Sequence, residues 1–189
     1  MKKILTFAAL AFALALPAAA QYTDQNGNEH ETDHFQAEYQ FIEDGWGVGI
    51  GISGKYVFVS ADYEHASLDE FEYKIDKMKV ALGLKYRYYA YKGLYAEGRL
   101  GIGYYHSEFE YPGTPYWHET NIFGQSGGFW VTPTETEKDN SAYLLISPRI
   151  GYDFGKVSIE AAYRWDALKF KFKKGTYDKF FSIGAAINF

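Results

Sequence analysis

A histidine and a serine that could hydrolyse an ester lie two residues apart in His65-Ala66-Ser67, with Glu64, Asp69 and other acids nearby. In such a site the serine attacks, the imidazole takes its proton, and an acid holds the ring in place. The segment 64–71 also has the composition of an acidic connecting loop, in which these residue types meet by chance. We therefore predict no catalytic residue here.

Histidines and acids also cluster before the first regular pattern of the chain, where imidazole nitrogen and carboxylate could chelate a metal weakly. The residues concerned are Glu29, His30, Glu31, Asp33 and His34. Residues 21–33 contain almost nothing apolar, so we interpret them as a flexible polar leader. We predict no metal site and no cofactor.

Composition excludes several classes of protein. The 189 residues carry 24 acidic and 19 basic side chains, so the formal charge of −5 leaves no basic surface for nucleic acid. The absence of cysteine excludes a disulfide scaffold and a thiolate site. Aromatic residues make up 20%, beside 19 glycines, which favours a single all-β domain over a helical bundle.

The first twenty residues have the pattern of an export signal. Lys2 and Lys3 precede the apolar run 4–16, and Ala18-Ala19-Ala20 supplies small residues for cleavage. The alternative, an N-terminal membrane anchor, needs a longer apolar run. We predict a signal peptide over residues 1–20.

From residue 34 onward, apolar and polar residues alternate with a period of two, which indicates strands. The clearest case sets Met78, Val80 and Leu82 against Lys77, Lys79 and Ala81. About eight strands follow, joined by short segments at 53–55, 89–93 and 155–156 and by longer ones at 64–71, 112–139 and 172–177. This pattern predicts an all-β, eight-stranded antiparallel up-and-down transmembrane β-barrel over residues 34–189.

Alternation by itself also fits a soluble periplasmic barrel that buries its apolar face around a lipid. Glycines on the polar face, such as Gly83 and Gly101, favour a narrow lumen instead. Aromatic residues at the ends of the apolar stripes predict two interfacial rims. One rim comprises Tyr86, Tyr88, Tyr152, Phe154 and Phe189, and the other Trp46, Tyr63, Tyr104, Tyr163 and Trp165.

The last strand, Phe181-Ser-Ile-Gly-Ala-Ala-Ile-Asn-Phe189, resembles the terminal assembly signal of bacterial outer-membrane barrels, and residues 91–104 resemble the central hairpin of small OmpX/OmpA-type barrel domains. The resemblance covers residues 34–189. It implies an outer-membrane address and a signal, carried by Phe181, Ile183, Ile187 and Phe189, for the barrel-insertion machinery. The His-x-Ser pair resembles that of outer-membrane lipid A deacylases, which leaves a lipid-modifying enzyme as a further alternative.

The polar face places charges of both signs inside the predicted barrel, where they should pair. The predicted network comprises Asp62, Lys79, Lys85, Arg87, Glu97, Arg99, Arg149, Asp153, Glu160, Arg164 and Asp166. We interpret it as a salt-bridge plug, with a narrow ion or proton path as the alternative.

The long segment 112–139 holds an unusual set of aromatic residues for a water-facing loop. Tyr116, Trp117, Phe123, Phe129 and Trp130 could pack on one another as a cap or form a contact surface. Lysines at 169, 171, 173 and 174 are either rim residues or ligands of lipopolysaccharide phosphates.

The sequence thus predicts a non-enzymatic outer-membrane barrel with a structural or adhesive role. Its expected partners are outer-membrane lipids and lipopolysaccharide, the barrel-insertion machinery and a host or surface ligand, with no nucleic acid.

Overall fold

A computed structural model describes residues 21–23, 29–31, 34–68, 73–122, 125–167 and 178–188 of the chain. All regular elements in these ranges are strands. They are β1 Gln21–Thr23, β2 Glu29–Glu31, β3 His34–Ile42, β4 Gly45–Ser53, β5 Val57–Leu68, β6 Tyr73–Tyr91, β7 Leu94–Pro112, β8 Tyr116–Ile122, β9 Gln125–Val131, β10 Thr134–Asp153, β11 Val157–Ala167 and β12 Asp178–Asn188.

Eight of these strands form one closed barrel in the order β10-β11-β12-β3-β4-β5-β6-β7. Each strand pairs antiparallel with its neighbours along the chain, and β12 closes the ring on β3, with Ile183 opposite Tyr39. The structure therefore confirms the predicted eight-stranded up-and-down barrel. The first strand of the barrel, β3, pairs with the last, β12.

The barrel buries polar side chains and exposes apolar ones, which is the reverse of the arrangement in a soluble protein. On β3, Gln36 and Glu38 point inward and are buried, whereas Phe35, Tyr39 and Phe41 point outward and are exposed. The other barrel strands repeat this pattern, because successive side chains of a strand point to opposite faces. A soluble lipid-binding barrel needs an apolar interior, so this geometry contradicts that alternative.

A few apolar side chains do lie inside the barrel. Phe58, Ala81 and Leu145 pack there with the rings of Tyr105 and Tyr143. These residues fill the space between polar clusters, which is consistent with an eight-stranded lumen only just wide enough for side chains.

The two ends of the barrel differ in their connections. One end, here called the short-turn end, carries residues 54–56, 92–93 and 154–156, where Lys92, Gly93 and Gly155 adopt positive φ angles. At the opposite end, here called the long-loop end, β5, β7 and β11 end, β6, β10 and β12 begin, and the two-residue turn 43–44 joins β3 to β4.

The predicted loop 64–71 is wrong in its bounds, because β5 continues to Leu68 and β6 begins at Tyr73. Cross-strand pairing of Ser67 with Lys74 keeps this segment in the sheet. The predicted loop 112–139 is also too long. Strand β10 begins at Thr134, and residues 116–131 form the separate hairpin β8–β9.

Strands β6, β7 and β10 are much longer than the other barrel strands, with 19, 19 and 20 residues. A membrane-spanning strand needs only about 9–11 residues. The surplus projects at the long-loop end as a three-stranded outer extension, defined here as residues 73–77, 106–112 and 134–140. The amide of Gly113 donates to the carbonyl of Pro133 at 2.7 Å and closes the base of the hairpin that continues from it.

Aromatic residues line both edges of the outward apolar belt. Toward the long loops, Tyr163, Phe181, Phe41 and Trp46 lie side by side on four neighbouring strands. At the short-turn end the exposed aromatics are Tyr86, Tyr88, Tyr152 and Phe154. This arrangement is typical of interfacial girdles.

Within the predicted leader, β1 pairs with β2, an element that the sequence did not predict. The signal peptide 1–20, the segment 172–177, the lysines at 169–174, Phe123 and Phe189 lie outside the described residues.

Candidate functional site

The lumen near the long-loop end is crossed by ion pairs centred on Arg164. This side chain, only 1% exposed, donates from Nη1 to Asp62 Oδ2 at 2.7 Å and from Nε to Asp166 Oδ1 at 2.9 Å. Lys79 Nζ donates to Asp166 Oδ2 at 2.6 Å and also binds Glu64. Strands β5, β6 and β11 are thus tied together across the interior.

A second cluster occupies the middle of the lumen around Arg149. Its Nη1 donates to Glu160 Oε1 at 2.6 Å and to Glu38 Oε2 at 3.0 Å. The hydroxyl of Tyr95 donates to Glu160 Oε2 at 3.1 Å. This cluster links β10 and β11 to β3, which lies three and two strands away from them in the ring.

A third cluster surrounds Glu97 toward the short-turn end. Arg87 Nε and Arg99 Nε donate to its two carboxylate oxygens at 2.7 and 2.6 Å, and Lys85 Nζ lies 3.8 Å away. The guanidinium carbon of Arg87 lies 3.9 Å from the centre of the Tyr95 ring, within cation–π range. Three cations therefore share one carboxylate here.

Asp153 ends this series at the rim of the short-turn end. Tyr89 donates its hydroxyl to Asp153 Oδ2 at 3.0 Å, and Asn188 Nδ2 donates to Oδ1 at 3.1 Å. The amide of Gly155 also donates to Oδ1, at 2.7 Å, so the aspartate caps the turn as well as the lumen.

The structure places every residue of the predicted lumen network inside the barrel with a buried side chain. These residues are Asp62, Lys79, Lys85, Arg87, Glu97, Arg99, Arg149, Asp153, Glu160, Arg164 and Asp166. Sequence reasoning missed Glu38 and Glu64, which lie in the same clusters. Their position on the polar face of β3 and β5 was the available signal. For Glu64, the predicted loop 64–71 hides this signal.

Two large aromatic side chains inside the lumen were also missed as members of the site. The ring of Tyr143 lies against Gly103, and the ring of Tyr95 lies against Gly151, so a methyl group on either glycine would clash. Gly103 and Gly151 therefore make room for lumen tyrosines.

Outside the barrel, the β8–β9 hairpin displays most of the predicted contact residues. Trp117 and Trp130 lie directly opposite each other with their rings 5.7 Å apart at 70°. They are 48% and 68% exposed, and Tyr116 and Phe129 are 50% and 53% exposed. The two tryptophans thus pack on each other and still present ring surface to the surroundings.

The two faces of this hairpin carry different residues. Trp117, Trp130, Glu119 and Gly128 share one face, because paired residues lie on the same side of a sheet. Gly128 lies under the indole of Trp117, and a side chain there would clash with the ring.

His65 has an acidic partner that the sequence did not predict. Its Nδ1 lies 2.9 Å from Asp76 Oδ1, across the β5–β6 pair. Tyr63 donates its hydroxyl to the same oxygen at 2.5 Å, and Ser67 follows two residues later on the same face of β5. Burial acts to raise the pKa of Asp76, but the hydrogen bonds from Tyr63 and His65 outweigh it and lower the pKa.

The outer extension carries further charged groups. Lys138 Nζ donates to Glu108 Oε1 at 2.6 Å, and His106 lies 3.3 Å from the same oxygen. These hydrogen bonds, that from Lys138 first, lower the pKa of Glu108. The hydroxyl of Tyr111 donates to Glu135 Oε2 at 3.1 Å, and this contact raises the pKa of Tyr111.

Three of the four residues predicted as the assembly signal lie on β12. Phe181, Ile183 and Ile187 point outward and are exposed, in register with outward residues of β3 and β11.

The histidine and acid cluster that leads into the first barrel strand includes one residue whose side chain the structure describes. His34 points into the lumen, where its Nε2 lies 2.7 Å from Ser53 Oγ. Among the described residues, no group of three or more His, Cys, Asp and Glu side chains could hold a metal ion. No helix in this part of the chain is long and apolar enough to cross a membrane.

Comparison with known proteins finds no matching family model and no matching curated protein. Among solved structures, Neisserial surface protein A is similar at 12% identity and a TM-score of 0.49, over 83% of this chain and 97% of that one. The N-terminal β-barrel domain of Pseudomonas aeruginosa OprF shows 12% identity and a TM-score of 0.42, over 85% and 98% of the two chains. Ail, the attachment invasion locus protein of Yersinia pestis, solved with the heparin analogue sucrose octasulfate, shows 14% identity and a TM-score of 0.43, over 83% and 95%.

Proposed function

We propose that this protein is a bacterial outer-membrane barrel with a structural or adhesive role and no enzymatic activity. The observation that carries the proposal is the reversed polarity of the barrel, with ion pairs inside and an apolar, aromatic-edged belt outside. A closed barrel satisfies every backbone group without an exposed edge, so it can stand in lipid.

The location follows from this belt together with the export signal expected at residues 1–20. In the outer membrane the short-turn end then faces the periplasm, and the long-loop end faces the outside of the cell. Outward residues of the belt contact lipid, and lipopolysaccharide lies beside the rim at the long-loop end. The barrel-insertion machinery recognises the last strand through Phe181, Ile183, Ile187 and Phe189.

The lumen serves as a plug in this proposal. Its three ion-pair clusters follow one another along the interior, and each contains contacts between strands. Side chains that pair in this way fill the lumen of an eight-stranded barrel. We therefore propose that the ion pairs hold the wall together and that the lumen conducts no solute.

The contact with other molecules is assigned to the β8–β9 hairpin. It stands beyond the outer extension and exposes Tyr116, Trp117, Phe129 and Trp130. Aromatic residues of this kind dominate binding surfaces, and exposed apolar patches mark interaction sites. The ends of the strands around 64–71 and the connection 172–177 complete the surface in this proposal.

The test begins with cell envelopes. We expect the protein in the outer-membrane fraction, with a gel mobility that changes on boiling. Since the chain contains no cysteine, Thr132→Cys and Lys55→Cys each introduce a single thiol. A membrane-impermeant maleimide applied to intact cells should label Thr132→Cys, at the hairpin, and spare Lys55→Cys, at the short-turn end. Recovery in the soluble periplasmic fraction, or equal labelling of both variants, would refute the proposal.

One observation favours a second function, hydrolysis of an ester at the outer rim. An imidazole held by a carboxylate at Nδ1 has Nε2 as its basic nitrogen, as in serine hydrolases. Ser67 would add to the ester carbonyl as His65 takes its proton, the alcohol would leave with that proton, and water would release the acid. Hydrolysis of a p-nitrophenyl ester by the purified protein, lost in Ser67→Ala, would support this function. Equal rates for the two proteins would exclude it.

A further inference from the structure

The β8–β9 hairpin is a two-stranded sheet with open faces. Within the described ranges, its strands pair only with each other, and the register sets Trp117 opposite Trp130. Both indoles are about half exposed or more. A monomeric protein does not usually leave such rings uncovered, because exposed apolar area favours association.

The seating of Trp117 defines the shape of this face. Its indole lies over Gly128, where a side chain would collide with the ring. One side of the indole therefore rests on the hairpin backbone. Trp130 meets the ring in a T-shaped contact, at an interplanar angle of 70°. The two rings form an angled aromatic surface on one face of the hairpin.

The acidic residues around this surface favour a cationic partner. The hairpin and the outer extension together, residues 73–77 and 106–140, contain seven acidic residues and three lysines. Of these lysines, Lys138 already binds Glu108 at 2.6 Å, and Lys77 lies 3.6 Å from Glu64. The carboxylate nearest to the indoles along the chain is Glu119, on the same face as Trp117. The region therefore repels polyanions and attracts cations.

We propose that the Trp117–Trp130 face binds an arginine-rich segment of another polypeptide. This inference rests on the proposed function in one respect, that the hairpin is exposed at the cell surface. It adds the chemical class of the partner. A guanidinium group stacks on an indole through cation–π attraction and at the same time bonds a carboxylate. Glu119 supplies that carboxylate, and the remaining acids steer the segment toward the hairpin.

The test uses the full-length protein, refolded in detergent, and a fluorescein-labelled nona-arginine peptide. We expect saturable binding that weakens as salt is added, because the attraction is partly between charges. Trp117→Ala/Trp130→Ala should weaken binding by roughly tenfold, the loss expected for two cation–π contacts. Tyr152→Ala/Phe154→Ala, which removes a packed pair of rings 4.8 Å apart at the short-turn end, should leave the affinity nearly unchanged.

Two further variants separate recognition from loss of the hairpin. Trp117→Phe/Trp130→Phe keeps two packed rings with weaker cation–π attraction, so its affinity should lie between those of wild type and the double alanine variant. Glu119→Gln should weaken binding and reduce its dependence on salt.

An affinity unchanged by removal of both tryptophans would overturn the inference, because it would show plain adsorption to an acidic surface. Tighter binding of a sulfated or a neutral oligosaccharide than of the peptide would overturn it as well. The proposed function fails by a different result, the absence of the protein from the outer membrane. If the hairpin is exposed at the cell surface but does not bind nona-arginine, only the inference about the partner fails.

Discussion

Arg164 and Asp62 face each other across the full width of the lumen, with Nη1 and Oδ2 2.7 Å apart. Their strands, β11 and β5, are four positions apart in a ring of eight, so they lie on opposite walls. Both side chains are buried. The pair therefore acts as a cross-brace between opposite walls of the barrel, in a lumen where Arg164 also binds Asp166 and Gln40 also donates to Asp62.

Removal of Arg164 should destabilise the barrel strongly. Arg164→Met leaves Asp62 and Asp166 without their shared cation, and breaking a buried pair in this way costs about 3–5 kcal/mol. Urea unfolding of the protein in lipid vesicles, followed by tryptophan fluorescence, measures the change. Lys138→Met breaks an exposed pair with Glu108 and should change the unfolding midpoint little. Equal effects of the two substitutions would contradict a buried brace.

A large side chain at Ala162 should prevent normal folding. Ala162 lies on β11, 3% exposed and directed into the lumen. Arginine there adds both volume and a charge to a filled interior, and overpacking alone costs about 1–3 kcal/mol. We expect Ala162→Arg to lose the boiling-dependent gel shift. Thr136→Arg, on the exposed outer extension, should retain it. A normal shift for Ala162→Arg would disprove the inward direction of this residue.

An arginine on the outward belt should destabilise the barrel more at mid-height than at the edge of the belt. Leu82 and Met78 both point outward on β6, and Met78 lies nearer the outer extension. Leu82→Arg should lower the unfolding free energy in lipid by roughly 2–4 kcal/mol, and Met78→Arg by about 0–1 kcal/mol. Measurement in vesicles tests the depth dependence. The reverse order of effects would mean that the belt does not span the lipid as proposed.

Two glycines of β7 should respond in opposite ways to alanine. A methyl group at Gly103 would meet the ring of Tyr143, whereas one at Gly98 would meet nothing within 4 Å. Gly103→Ala should therefore destabilise the barrel by about 1–3 kcal/mol through overpacking. Gly98→Ala should be neutral or stabilising by up to about 1 kcal/mol, since it restricts the unfolded chain. The urea unfolding midpoints of the two variants test this prediction. A wild-type midpoint for Gly103→Ala would show that the Tyr143 ring can move away from Gly103.

Replacement of the hairpin should leave the barrel intact. Residues 114–132 can be exchanged for an Asn-Gly turn, because Gly113 and Pro133 are already hydrogen-bonded across the base. In the described part of the chain, β8 and β9 pair only with each other. We expect the gel shift and the urea midpoint to stay near those of wild type. A barrel that no longer folds would show that the hairpin supports it.

The amino-acid sequence by itself determined the strands, their inward and outward faces and the position of the short turns. Side-chain direction in a strand alternates with a period of two, which is a local property, so Lys79 and Leu82 could be assigned to opposite faces without knowledge of the fold. The same local rule placed Arg87 near Glu97, because a short turn sets the register of neighbouring strands.

Only the tertiary structure decided which charges meet across the lumen. Asp62 and Arg164 are 102 residues apart, and their contact depends on the closure of β12 on β3. The same closure brings Glu38 to Arg149, a contact that no local pattern reports. His65 and Asp76 meet for a different reason, because β5 and β6 stay paired through a segment whose composition favours a loop. Local alternation specifies a face, whereas partners across a lumen depend on how the closed sheet is staggered.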